Sequence, residues 1–475
     1  MRVKAPRTRL APVTDDRELR AALERAVDTI VNYRRGLSEA RVTPIASRSA
    51  VRDTLGPLPD DPTPLEDVLD ELLERASPGL MASTGPRYYG FVTGGTLDAA
   101  LVTAIIAAGW DQCAFNEAMS PAAIAFEDVA GSWLKELLGL PTSATVGFTT
   151  GCQGANTVGL AAGRWHVLHK AGWDVGREGL HGAPRIRVVV GAERHATIDR
   201  AVRLLGIGES SIIVVPALPD GAMDTSALPA ALEGRGPMIV CAQAGNVNTG
   251  ACDDLTAAAK AARAAGAWLH VDGAFGLWAA ASPRKRQLVQ GVELADSWAC
   301  DGHKWLNVPY DCGYAFCAHP DVHATALAYT AAYLTGQVAG REYGGGDLVV
   351  ESSRHARGFA TWAALRSLGR SGVAELVDRC CDLAVQFAEK LGSLDDVEIV
   401  NDVVLNQVLV RVGDEELTTR LERAIQADGT AWLGGTTWRG DRLLRIAVSN
   451  WSTTPDDVDR VVAAIGRLRA DLTAA

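Results

Sequence analysis

No uninterrupted apolar run in this 475-residue chain approaches the ~18 residues that suggest a membrane helix, which counts against a membrane role. No Lys/Arg cluster is present and the net charge is -11 at pH 7, so a nucleic-acid partner is not expected. No Cys-x-x-Cys pair occurs to suggest zinc. The nine cysteines are scattered and odd in number, and Cys380 adjoins Cys381, a poor start for a disulfide framework. Reduced thiols in a cytoplasmic protein are expected, with no metal site. Met1 to Arg9 is basic but no apolar run follows, so it reads as a mobile tail rather than a secretory signal. Gly-x-Gly-x-x-Gly and the Walker lysine are both missing, which disfavours dinucleotides and nucleoside triphosphates. There are no internal repeats and no low-complexity segment.

What is present suits a large globular enzyme: 48% hydrophobic residues, 48 Gly and 12 Trp, more core than one simple domain needs. Residues 16 to 38 place Leu19, Leu23, Ala26, Ile30 and Leu37 at roughly helical spacing, and a second amphipathic helix follows Pro64, after a Pro-rich connection from Leu55. Such a hairpin cannot bury its apolar face alone and needs the main domain or a second subunit. Further on, the pattern predicts strands at Ile186–Val190, Ile212–Val215, Met238–Ala242, Ala267–Val271, Ser297–Cys300 and Gly313–Cys317, with helices such as Ala155–Lys170 and Leu255–Ala265. That alternation predicts an α/β fold, a mostly parallel sheet with helices on both faces. A long helical region, Arg357–Leu391, leads into strands Val397–Val400, Gln407–Val412 and Leu443–Val448, a helix near Glu415–Ala427, and a last helix capped by Thr454 and started by Pro455. The expected division is an N-terminal helical segment (1–95), a large domain (96–355) and a small C-terminal α+β domain (356–475).

Four segments carry candidate chemistry. Asp301-Gly-His303-Lys304 follows a predicted strand; a lysine there can form an imine with an aldehyde cofactor if burial or a nearby cation lowers its pKa. Asp272 ends an apolar strand in His270-Val271-Asp272-Gly273-Ala274, where a carboxylate can hold a protonated pyridine nitrogen and Ala274 leaves room for a flat ring. Gly151-Cys152-Gln153-Gly154 opens a helix whose free N–H groups can bind phosphate. His195 closely trails a strand and can stack on a ring or meet a substrate carboxylate. Taken singly, each has a plain structural reading: an exposed lysine, a turn-capping aspartate, a helix cap, a packed histidine. Together, each near a strand end, they are the parts that a pyridoxal-5′-phosphate (PLP) site requires.

On these residues the chain resembles the group II PLP-dependent amino-acid decarboxylases, such as the aromatic-L-amino-acid decarboxylases, which have fold type I. The resemblance spans roughly residues 60 to 470. It rests on His303-Lys304-Trp305-Leu306 with Asp311-Cys312 after it, on the position of Asp272, 32 residues before Lys304, on Ser120-Pro121-Ala122 with Glu127 and Trp133, and on Leu444-Arg445-Ile446. It implies decarboxylation of an L-amino acid to the amine, an aromatic substrate being the first guess, with Lys304 carrying PLP as a Schiff base. Asp272 would pair with the pyridine nitrogen, His195 and Ala274 would lie on the two ring faces, and His303 and the backbone of Gly151 to Gly154 would bind the phosphate, with Asp301 in the same shell. Tyr333, 29 residues after Lys304 and followed by a Gly-rich stretch, would return a proton to Cα from a closing lid. The family also implies a homodimer with the active site at the interface.

The chain departs from relatives in several places. Gly-Cys-Gln-Gly stands where some carry hydroxyl residues. Ala244–Gly250 lacks a Thr-rich run, so that Asn246 or Asn248 is expected at the cofactor instead. Tyr88–Phe91 with Thr93–Thr96, a stretch forming part of the substrate pocket in relatives, is no close copy of the animal aromatic enzymes. Three alternatives remain open: a decarboxylation-dependent aldehyde synthase, against which Tyr333 argues; an aminotransferase or carbon–carbon lyase on the same fold; and a non-enzymatic binding or scaffold protein.

Overall fold

The computed structural model of the chain describes residues 15–329 and 343–474. Its central sheet has seven strands, β1 (Thr145–Thr149), β2 (Arg187–Gly191), β3 (Ile212–Val215), β4 (Met238–Gln243), β5 (Trp268–Asp272), β6 (Ser297–Asp301) and β7 (Gly313–Cys317), in the order β1-β7-β6-β5-β4-β2-β3. β7 runs antiparallel to β1 and β6, and the other pairings are parallel. All strands except β7 therefore end on one rim, the edge of an open α/β sheet where ligands bind.

β2 and β4 read as apolar runs because both faces of the sheet are covered there. Val188, Val190, Ile239 and Cys241 pack into one hydrophobic cluster, with Leu160, Ile198 and Val202 from the helices on that side. Their neighbours Val189, Val240 and Ala242 turn into a second, larger cluster with Leu255, Ala258 and Ala262. This is the period-two alternation of a strand, both sets being buried.

Before the sheet come α1 (Asp16–Gly36), α2 (Arg48–Thr54), α3 (Leu65–Ala76), α4 (Asp98–Trp110), α5 (Pro121–Leu137) and, after β1, α6 (Cys152–Lys170). α1 starts where Asp15 accepts hydrogen bonds from the N–H groups of Arg17 and Glu18. Neither α1 nor α3 has a buried residue. Leu19, Leu23 and Val27, spaced four apart on one face of α1, are 47%, 57% and 51% exposed.

The helical region after the sheet, Gly358–Gly392, is not one continuous helix: Gly369, at φ 61° and ψ -179°, breaks it. That backbone is open to glycine and strained for other residues. Four antiparallel strands follow, β8 (Val397–Ile399), β9 (Gln407–Val412), β10 (Gly434–Trp438) and β11 (Asp441–Ala447), in the order β10-β11-β9-β8. The helices Glu415–Asp428 and Pro455–Ala474 accompany them. At the start of the last helix Asp457 Oδ2 accepts the Thr454 N–H while Thr454 Oγ1 accepts the Asp457 N–H, a reciprocal cap. All nine cysteines are free thiols. Among the described residues no helix is long and apolar enough to cross a membrane, and no cluster of three or more His, Cys, Asp or Glu side chains is arranged to hold a metal.

Candidate active site

The strand order brings the four segments to one rim. β5 and β6 are parallel neighbours with Asp272 opposite Ala299, so Asp272 and the Asp301–Lys304 turn emerge side by side. Gly151 follows β1, and the His195 segment follows β2. The Lys304 side chain is 19% exposed, with its Nζ 3.2 Å from Asp301 Oδ2. Burial works to lower its pKa, but Asp301, Cys152 and Asp272 outweigh it and hold the amine above its usual value. This reverses the expected lowering: the charges facing the amine are carboxylates, and no cation dominates it. The backbone beside it is tight. A Cβ on Gly94 would lie 1.9 Å from the Lys304 carbonyl oxygen, so only glycine fits at that crossing.

Asp301 Oδ1 accepts the Cys152 N–H at 2.6 Å and lies 3.6 Å from His303 Nε2. The first N–H of α6 is thus met by a side-chain carboxylate, and the donors that remain for an anion are those of Gln153 and Gly154 in the same first turn, which has no intrahelical partners. His303 Nδ1 accepts the Cys312 N–H at 3.2 Å, which puts the proton of the neutral ring on Nε2. Burial holds its pKa below the usual histidine value. A Cβ on Gly151 would come within 3.0 Å of His303 Cε1 and 3.3 Å of Asp301 Oδ1, so the missing side chain keeps a small polar cradle open at the helix N-terminus.

At the other end, Asp272 is 5% exposed. Its Oδ1 accepts the Ala274 N–H at 3.2 Å and the Cys152 thiol at 3.5 Å, and its Oδ2 accepts the Asn156 amide at 3.1 Å. A buried carboxylate with only neutral donors calls for a cation. An anion cradle, an amine and a cation-seeking carboxylate on one rim fit the phosphate, aldehyde and pyridinium of PLP.

His195 caps the helix Ala196–Leu204, with its Nδ1 2.9 Å from Thr197 Oγ1. Burial lowers its pKa, and the charges that reach it are those of Asp272, Lys304, Arg445 and Asp301, so it shares their site. Asn246 is a brace: its amide donates to the Glu193 carbonyl at 3.0 Å, and its oxygen accepts the N–H groups of Asn248 and Thr249. Asn248 Oδ1 accepts from Thr436 Oγ1 at 2.9 Å. Tyr333 lies outside the described residues.

Arg445, Trp432 and Tyr310 are groups to which the sequence reading assigned no role. Arg445 on β11 is part-buried, donates to the Val247 carbonyl at 3.2 Å and has no ion-pair partner among the described residues. Tyr310 stacks on His303 at 4.5 Å, which brings an aromatic ring to the site, and Trp432 stacks on Tyr88 at 5.0 Å and on Phe91 at 5.2 Å.

Residues 52–412 match the family model described as the pyridoxal-dependent decarboxylase conserved domain. The chain is 28% identical over 472 residues to tryptophan decarboxylase 1 of Oryza sativa subsp. japonica, covering 91% of this chain and 90% of the relative. It is 27% identical over 469 residues to 4-hydroxyphenylacetaldehyde synthase of Rhodiola rosea, covering 94% and 93%. Its fold superposes on the crystal structure of Oryza sativa TDC with PLP and tryptamine at a TM-score of 0.90, with 26% identity and 98% and 99% of the two chains covered.

Proposed function

The chain belongs to the pyridoxal-dependent decarboxylase family, and from that premise we propose that it is a PLP-using carboxy-lyase acting on an aromatic L-amino acid, with Lys304 as the residue that bonds the cofactor. The observation that carries the site assignment is the side-by-side emergence of Asp272 and the Lys304 turn from β5 and β6, beside the open N-terminus of α6. Bound PLP supplies an aldehyde for the substrate amine and a cationic ring that takes up the electron pair of the breaking Cα–carboxylate bond.

Asp272 keeps the proton on the ring nitrogen. His303 Nε2 and the N–H groups of Gln153 and Gly154 bind the phosphate, and Ala274 and His195 line the two ring faces. Lys304 would hold the aldehyde through Nζ, with Asp301 Oδ2 3.2 Å away placed to take the proton that the amine sheds on bonding it and to return it when the substrate amine takes that place. Arg445, part-buried and without a carboxylate partner among the described residues, together with His195 orients the substrate carboxylate so that its bond to Cα stands across the ring plane. Tyr333 returns a proton to Cα after CO₂ leaves. The stacked rings of Tyr88, Phe91 and Trp432 and the substrate named for the tryptophan decarboxylase relative support an aromatic side chain. The bare face of α1 supports a homodimer that covers it. The free state of all nine thiols suits a cytoplasmic location.

A second reading, the aldehyde synthase, is favoured by the similarity to the Rhodiola rosea relative. Its products would be aldehyde, ammonia and H₂O₂ in step with CO₂, with O₂ consumed. The test is a panel of L-amino acids with added PLP, scoring CO₂, amine, aldehyde and H₂O₂. CO₂ and amine in equal amounts from Trp, Tyr or Phe are expected. Release of CO₂ from aliphatic or acidic substrates alone would overturn the aromatic assignment, and stoichiometric H₂O₂ would overturn the amine.

A further inference from the structure

We propose that Asn156 is the positioning residue that sets Asp272 and His195 together. The inference rests on the reading of Asp272 as the partner of the ring nitrogen. Asn156 is 0% exposed on α6, with no contact to water to satisfy its amide. Its Oδ1 lies 2.8 Å from His270 Nε2, whose other nitrogen is 2.8 Å from Ser297 Oγ. Ser297 Oγ in turn accepts the Trp268 indole N–H at 2.9 Å.

The direction of this chain follows from its far end. An indole nitrogen only donates, so the serine hydrogen is free to go to His270 Nδ1. His270 is fully buried, which pushes its pKa down to about 4 and leaves it neutral with its single proton on Nε2. That proton meets Asn156 Oδ1, so the amide nitrogen faces the other way. The reverse orientation would set the amide oxygen against the Asp272 carboxylate, oxygen to oxygen.

The nitrogen then has two hydrogens and two acceptors: Asp272 Oδ2 at 3.1 Å and Thr197 Oγ1 at 3.2 Å. Having accepted from Asn156, the Thr197 hydroxyl gives its own hydrogen to His195 Nδ1 at 2.9 Å, where the Thr197 N–H also points at 3.3 Å. His195 Nδ1 is therefore an acceptor and its proton sits on Nε2. One buried amide thus fixes the direction of a carboxylate at the end of β5 and, through the Thr197 hydroxyl, ties it to a histidine at a helix N-cap. Neither serine nor alanine at 156 could supply both donors.

The test compares binding of PLP by the apo-protein with binding of a carbocyclic analogue in which the ring nitrogen is replaced by CH. The ratio of the two dissociation constants reads the contact between Asp272 and the ring nitrogen and is blind to a general loosening of the fold, which weakens both ligands alike. Wild type is expected to prefer PLP by about ten-fold or more, the range of a charge-assisted hydrogen bond. Asp272→Asn should remove most of that preference, and Asn156→Ala should remove most of it too, with phosphate-driven binding of the analogue retained. Asn156→Leu, close in size but without the donor, gives the same answer if the alanine variant fails to fold. If Asp272→Asn loses the preference while both Asn156 variants keep it, Asn156 does not position Asp272. If Asp272→Asn itself keeps the preference, the reading of Asp272 fails and the proposal falls with it.

Discussion

Replacing His323 should flatten the acid sensitivity of this fold by a calculable amount. His323 is fully buried on the helix Pro320–Leu327, with Nδ1 2.8 Å from Thr145 Oγ1 on β1. Burial pushes its pKa down to about 4, against about 6.5 in an unfolded chain. The unfolded chain therefore binds the proton more tightly, so stability present above pH 6.5 is lost as pH falls toward 4. Summed over that window the loss is about 3 kcal/mol, of which about 2 kcal/mol falls between pH 7 and pH 5.

His270, also held at about 4, acts with the same sign. Asp253, buried and raised to about 6, acts with the opposite sign, gaining stability as pH falls. The difference between wild type and His323→Asn cancels both, and the asparagine oxygen can still accept from Thr145. Urea unfolding of the apo-protein at pH 7, 6 and 5 should show the wild type losing about 2 kcal/mol more than the variant over that range. The neutral-pH cost of the substitution is an offset that leaves this slope untouched. A difference in slope below about 0.5 kcal/mol would refute the claim that the ring is held neutral by burial.

Lys304→Ala should abolish turnover and the visible absorbance of the bound cofactor, as read by spectrophotometry; an unchanged spectrum would remove Lys304 from its role. Tyr333→Phe should keep CO₂ release while shifting product from amine to aldehyde, and an untouched amine yield would dismiss it as the proton donor. Glu127 and Arg354 form a buried two-pronged pair at 2.7 and 2.8 Å. Glu127→Gln alone should therefore cost about 3–5 kcal/mol by leaving a buried charge, and adding Arg354→Met should recover part of it in the same denaturation assay. Leu23→Glu on the bare face of α1 should shift the sedimentation of the protein toward the monomer; an unchanged profile would mean that this face is not the subunit contact.

The parts of this fold legible in the sequence were those governed by local rules. β3, β7, β9 and the helix Leu255–Ala265 have the expected bounds, because apolar runs bordered by turn residues leave few alternatives. β1, with a glycine in mid-strand, and β10, opening on two glycines, went unassigned since neither has a clear apolar alternation. α4 is apolar on nearly every side, so periodicity does not mark it. Lys304, Asp272 and His195 were readable because each trails a strand. Asn156 was not, because its partners lie 114 and 116 residues away and only folding brings them together. The lysine's charge state was misread for a related reason: Asp301 was counted as a cofactor ligand, and its nearness to the amine shows only in three dimensions.

The antiparallel placement of β7 beside β6 governs how the Lys304 segment is held. Residues 302–312 leave one strand and return on its immediate neighbour, with Asp301 opposite Gly313, so both ends of the excursion are pinned about 5 Å apart by the ladder itself. A segment tethered in this way has little room to wander, and most of the entropy of ordering the lysine is surrendered when the sheet forms, ahead of any encounter with the aldehyde. Adding or deleting one residue in β7 would swap every inward side chain of that strand for an outward one.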